Sequence, residues 1–93
     1  MFITITCFEH YMGIESYKID QELILKKDKN NSYDDEAIKV ESENGATYGY
    51  VANSIDTVAR GTHSAGYVYC SLKESQKCKV KFITQESVIA ELI

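Results

Sequence analysis

The chain predicts a mainly β domain, a small antiparallel β-barrel of about six strands with two short helices. Three observations carry that prediction. β-branched, aliphatic and aromatic residues alternate along short segments, beginning with Phe2-Ile3-Thr4-Ile5-Thr6. An Asn44-Gly45 pair, a strong hairpin signal, separates two of these segments. No proline interrupts any element in 93 residues. That length is one domain, residues 1–93, and at this size only about two thirds of the unfolded surface can be buried. Closing the sheet into a barrel also removes the unpaired strand edges on which other chains could add.

Each element has its own warrant. Phe2 to Phe8 sets Phe2, Thr4, Thr6 and Phe8 on one face and Ile3, Ile5 and Cys7 on the other, and the second set is expected to face the core. Glu9 to Asp20 carries Gly13 among mixed polar residues and reads as a loop. Glu22 to Lys26 is a second strand, and Asp28 to Ser32 has the Asn/Asp content of a turn. Ala37 to Glu43 points Ile38 and Val40 inward, then turns at Asn44-Gly45 in an expected type I′ turn, which needs positive φ twice. Thr47 to Ala52 is the return strand. Asn53-Ser54 can cap a short helix with Ile55, Val58 and Ala59 on one face, ended by Gly61. Tyr67 to Lys73 and Cys78 to Thr84 are expected as the last two strands, joined at Glu74 to Lys77. Gln85 to Leu92 is expected as a closing helix that buries Val88, Ile89 and Leu92. The expected order is ββββαββα, with no repeat, low-complexity tract or linker.

Composition excludes several kinds of function. The net charge is −4, so the strongly basic footprint of many nucleic-acid binders is missing. Lysines nevertheless cluster at Lys26, Lys27 and Lys29 and again at Lys73, Lys77, Lys79 and Lys81. The three cysteines, Cys7, Cys70 and Cys78, have no Cys-x-x-Cys spacing and are expected as small buried residues rather than ligands. No stretch approaches the roughly 20 apolar residues of a membrane helix. The start Met1-Phe2-Ile3-Thr4 has no basic region, so a cytoplasmic location is expected.

Catalytic signatures are also missing. Neither GxxxxGK nor GxGxxG occurs. Cys7 and His10 are three apart, which on a strand means opposite faces. His63 sits in Gly-Thr-His-Ser with no identifiable partner. Asp34, Asp35 and Glu36 read as solvated loop acids. Asp28, Asn30, Ser32 and Asp34 alternate faintly like a calcium loop, but Tyr33 and Lys39 stand where glycine and glutamate are needed. No enzyme activity, cofactor or metal is expected.

What remains is aromatic. There are seven tyrosines and no tryptophan, with Tyr11, Tyr33, Tyr48 and Tyr50 in or beside the loop and hairpin region. A tyrosine can stack on an unpaired base, worth about 1–3 kcal/mol per base. In Asn31-Ser32-Tyr33-Asp34 an aromatic ring and a carboxylate stand side by side just before a strand. Function gathers on such loops when a rigid scaffold holds them.

These residues carry a resemblance. Asp28-Lys29-Asn30-Asn31-Ser32-Tyr33-Asp34, Ala37-Ile38-Lys39-Val40, Asn44-Gly45 and Gly49-Tyr50-Val51 together resemble the HIRAN domain, from about Thr4 to Leu92. The resemblance implies a modified OB-like β-barrel with short helices. It also implies a module that grips the 3′ end of single-stranded DNA. In eukaryotes such modules are attached to SNF2-type helicases of replication-fork repair. Free-standing members occur in bacteria and phages, and this chain is similar to those. The implied setting is DNA repair or stalled-fork processing, with a helicase or other repair protein acting in trans.

By that resemblance Tyr33 would stack on the terminal base and Asp34 would accept a hydrogen bond from the 3′-hydroxyl. Asn31 would help hold the last nucleotide. Tyr11 with His10 would form the opposite wall, and Tyr50 and Asn53 would flank the backbone path. Four departures thin the implied site. Glu9 replaces an arginine, Ser32 a proline, and Asn53 a basic residue, while the Glu74 to Lys77 turn has no aromatic. Fewer cations mean weaker and less salt-dependent binding. The alternative is a protein-interaction or adaptor domain on the same barrel that has lost DNA binding.

Overall fold

Alternate residues of the strands point into one core. Ile3, Ile5, Leu23, Leu25, Ile38, Val40, Cys78, Val80, Val88 and Ala90 are each no more than 1% exposed. Burying each large aliphatic side chain stabilises the fold by about 1.5–3 kcal/mol. The exposed loop side chains are therefore not what holds the barrel together. The computed structural model describes residues 1–93. Its strands are β1 (Phe2–Thr6), β2 (Glu22–Lys27), β3 (Ile38–Glu41), β4 (Thr47–Val51), β5 (Gln76–Ile83) and β6 (Val88–Leu92). They form a closed barrel in the order β1-β4-β3-β2-β5-β6, with every neighbouring pair antiparallel. Closure is made by β6 against β1, with Ile3 opposite Ala90 and Ile5 opposite Val88.

The mainly β class and the six strands agree with the expectation, but the last third of the chain is assigned differently. Tyr67 to Lys73 is not a strand. Ala65–Tyr69 is a short helix, α1, whose N-cap Ser64 accepts a hydrogen bond from the Tyr67 N–H at 3.2 Å. The buried Ala65, Val68 and Leu72 fall at helical spacing, a signal that the β-branched and aromatic content of the segment obscures. Gln85 to Leu92 is not a helix either. Val88 and Ala90 alternate inward on β6, and pairing with both β5 and β1 overrides the helical reading. Ile89 and Leu92 are only half-buried.

The expected helix after Asn53 is a run of turns instead, leaving one α-helix where two were expected. Ile55 is exposed rather than packed. The segment is tied down by Thr4, whose buried hydroxyl oxygen accepts the Ala59 N–H (3.1 Å) and bonds the Thr62 hydroxyl (2.7 Å). The Thr62 hydroxyl donates to the Ala59 carbonyl, so Thr4 is the donor in that hydroxyl pair.

Several smaller differences follow. The region read as loop after the first strand contains 3-10 turns at Phe8–His10 and Ile14–Ser16. Cys7 has φ 62°, so β1 ends at Thr6 and Cys7 is exposed rather than facing the core. Cys70 is exposed as well, and only Cys78 is buried as expected, its thiol pushed up to about 12 by burial. In the β3–β4 hairpin only Gly45 has positive φ, which excludes a type I′ turn. Ser42 and Ala46 close a three-residue connection, with Gly45 in the left-handed position such loops require.

Candidate nucleic-acid interface

The loop between β2 and β3 is built by its own side chains. Its base is closed by the Asp28 N–H donating to the Ala37 carbonyl at 2.8 Å. The Asn31 Oδ1 accepts the N–H groups of both Tyr33 (2.9 Å) and Asp34 (3.0 Å), and its Nδ2 donates to Asp28 Oδ2 at 3.4 Å. Asp34 Oδ1 in turn accepts the Glu36 N–H at 2.9 Å. Local bonds of this kind are what Asn and Asp offer in turns. They hold the loop where Ser32 supplies no proline. Asn31 is a scaffold within the loop, with its carbonyl oxygen already accepting twice.

The bracing leaves Tyr33 pointing away from the protein, 97% exposed. Asp34, beside it, is half-buried. The Asn53 Nδ2 donates to Asp34 Oδ2 at 3.1 Å, and Asn53 Oδ1 accepts the Gly66 N–H at 2.8 Å. Asn53 thus clamps the loop to α1 and sets the angle of the Asp34 carboxylate. Each Asp34 oxygen has one donor and keeps capacity for another.

The opposite wall begins at the left-handed Cys7, which turns the chain out of β1 into the Phe8–His10 turn. Phe8 is buried against Tyr17, with ring centroids 6.0 Å apart, and anchors that turn. His10 and Tyr11 are left exposed at the rim. Tyr11 packs on Tyr50 with centroids 6.2 Å apart and planes tilted by 39°. The Tyr50 hydroxyl donates to Asp28 Oδ2 at 2.6 Å, tying this wall back to the loop. That hydrogen bond, helped by Asn31 and by the charge of Lys39, holds the Asp28 carboxyl below its ordinary range. Burial, followed by the bond to Asp28 and its charge, pushes the Tyr50 hydroxyl up.

His10, Tyr11, Asn31, Tyr33, Asp34, Tyr50 and Asn53 all line one open cavity of about 580 Å³. Cys7 and Thr57 also line it, and the sequence pointed to neither. Only on a strand running through Phe8 would Cys7 and His10 lie on opposite faces. With β1 ending at Thr6, the two residues meet at the same cavity. Tyr48 lies elsewhere, edge-on to Tyr17 at 5.4 Å. The cavity has no lysine or arginine in its lining. Lys26, Lys27 and Lys29 line a separate cavity of about 740 Å³, where Lys26 faces Glu41 at 3.5 Å and Lys27 lies 4.6 Å from the Tyr69 ring centroid. Of the second cluster, Lys77 faces Glu22 at 4.0 Å and Lys81 faces Asp20 at 3.9 Å. No cluster of three or more His, Cys, Asp or Glu side chains is arranged to hold a metal ion. No helix is long and apolar enough to cross a membrane.

The crystal structure of the HIRAN domain of human HLTF superposes on the barrel with a TM-score of 0.67 at 19% identity, covering 99% of this chain and 73% of that one. A protein from Lactobacillus plantarum superposes with a TM-score of 0.66 at 16% identity, covering 98% of this chain and 87% of that one. No curated protein matches the chain by sequence. At such identities the two structures establish a shared fold alone. The family rests on a separate finding, the match of the HIRAN domain family model to residues 1–86. The chain belongs to the HIRAN domain family.

Proposed function

We propose that this domain binds the 3′ end of single-stranded DNA and has no catalytic activity of its own. The observation that carries the reading is the pairing of an outward Tyr33 with a fixed Asp34 carboxylate in one cavity that Tyr11 also lines. The terminal base stacks on Tyr33, with His10 and Tyr11 closing the other side. The 3′-hydroxyl donates to a free lone pair of Asp34, a charge-assisted bond worth about 1.5–3 kcal/mol. A 3′-phosphate would instead bring like charge to that oxygen. At about 4 Å this costs about 1 kcal/mol in water and about 4 kcal/mol near a protein surface. An end is therefore favoured over a phosphorylated or continuing strand. Asn31 and Asn53 act through position, holding Tyr33 and Asp34 in place. The proposed setting is DNA repair or stalled-fork processing, with a helicase or another repair protein in trans.

Fluorescence anisotropy at low salt tests this directly. Short oligonucleotides with a free 3′-hydroxyl should bind at least about fivefold more tightly than the same sequences with a 3′-phosphate. Tyr33→Ala should lower affinity about 5- to 150-fold and leave the melting temperature unchanged, because its ring is in solvent. Equal affinity for the two ends would overturn the reading.

Two observations favour a second reading. The net charge is −4 and no cation lines the cavity. An adaptor that docks a protein on the same face would have these properties. It predicts a stable protein partner in pull-downs, together with no oligonucleotide binding.

A further inference from the structure

A further cavity, of about 390 Å³, borders the aromatic one and shares Asn53 with it. Ile55, Val58, His63 and Tyr67 are in its lining. The segment carrying Ile55 is the one held to the barrel by Thr4. The His63 backbone is fixed as well, because its main-chain N–H donates to the Phe2 carbonyl at 2.8 Å and it bridges Ile3 in parallel. Its ring stacks almost flat on Tyr67, with centroids 4.2 Å apart and planes 16° apart. Tyr67 nevertheless remains 63% exposed, and Ile55 is 93% exposed. A rigid, backed aromatic ring beside an exposed aliphatic side chain is a ready surface for a flat apolar ligand. Stacking on His63 already restricts the Tyr67 ring, which lowers the cost of ordering it when a ligand binds.

We infer that Tyr67, backed by His63 and flanked by Ile55, is a second base-stacking platform, for a nucleotide further along the strand whose end sits at Asp34. This inference rests on the end-binding reading. Continuity through Asn53 selects the same strand as the occupant. The ligand must be single-stranded, because a duplex keeps its base faces stacked on one another. Ser64, also in the lining, accepts the Tyr67 N–H and keeps its own hydroxyl proton for a sugar or phosphate oxygen. Stacking of this kind tolerates any base, because every base has a π-face.

The test uses the full chain with two oligothymidylates bearing a free 3′-hydroxyl, a dinucleotide and a hexanucleotide. The hexanucleotide should bind more tightly. Tyr67→Ala should lower its affinity about 5- to 150-fold and leave dinucleotide affinity unchanged. Tyr67→Phe should retain wild-type affinity for both. A 2-aminopurine placed at successive interior positions should be quenched by the wild-type protein at one of them and regain emission with Tyr67→Ala. Circular dichroism controls for folding. If the wild type binds both lengths equally, or Tyr67→Ala weakens neither or both alike, the second platform is overturned while end binding stands. If the wild type binds no oligonucleotide at all, the end-binding reading fails, and the platform with it.

Discussion

Single residues divide into those that would touch a ligand and those that hold them. Tyr33 and Asp34 were legible because Asn31-Ser32-Tyr33-Asp34 is local turn chemistry with an aromatic in it. The bonding of Asn31 and Asn53 was not, because their partners include Asp28, Asp34 and Gly66, and Asn53 meets the last two only across the fold. Tyr50 shows the same division. Its ring backs Tyr11, while its hydroxyl serves Asp28. The Asp28 carboxyl is lowered, so its ionised form stabilises the folded state. That stabilisation is present above the ordinary aspartate range near about 4 and is lost as pH falls through the lowered value. Tyr50→Phe keeps the ring and removes the donor. It should cost about 1 kcal/mol near neutral pH, and its deficit against the wild type should narrow as pH falls below about 4. Melting temperatures of the two proteins across acidic pH check this, and a pH-independent deficit would show that the Asp28 bond is not the cause.

At the scale of elements, the strands from β1 to β4 follow from alternation and an Asn-Gly turn, and the sequence showed them. The region after Asn53 was harder. β6 reads locally as a helix, and it is a strand because it closes the barrel between β5 and β1. The six strands agree with expectation partly by compensation, with β6 taking the place of the expected strand at Tyr67. The Gly49-Tyr50-Val51 run has a packing reason that the sequence could not display. A Cβ on Gly49 would lie 2.6 Å from the Thr6 carbonyl oxygen and 3.1 Å from the Tyr17 hydroxyl. The first is backbone in the paired strand β1 and cannot move cheaply. The Tyr17 hydroxyl is itself fixed, donating to the Tyr48 carbonyl at 2.9 Å. Gly49→Ala should therefore destabilise the barrel by about 1–3 kcal/mol, visible as a drop of several degrees in melting temperature. An unchanged melting temperature would mean that β1 and β4 are less tightly joined than their geometry states.

For the whole molecule, charge and shape pull in different directions. The face that gathers the aromatics has no cation in its cavity, and the lysines lie elsewhere, several of them facing carboxylates. Binding to a single strand releases counterions in proportion to the phosphates neutralised, with a log–log salt slope of about −0.7 per phosphate. The expected slope for this domain is no steeper than about −1. A slope of about −3 or steeper would mean that lysines such as those of the separate cavity carry the binding. In the proposed function, one face with Tyr33 and Asp34 at its centre receives a DNA end. The most direct measurement is an NMR titration of the labelled domain with a single-stranded oligonucleotide bearing a free 3′-hydroxyl. The amide shifts that move should be those of Tyr11, Tyr33, Asp34 and Asn53, with Lys26, Lys27 and Lys29 still. Shifts confined to the lysine cavity, or no shifts at all, would contradict the claim.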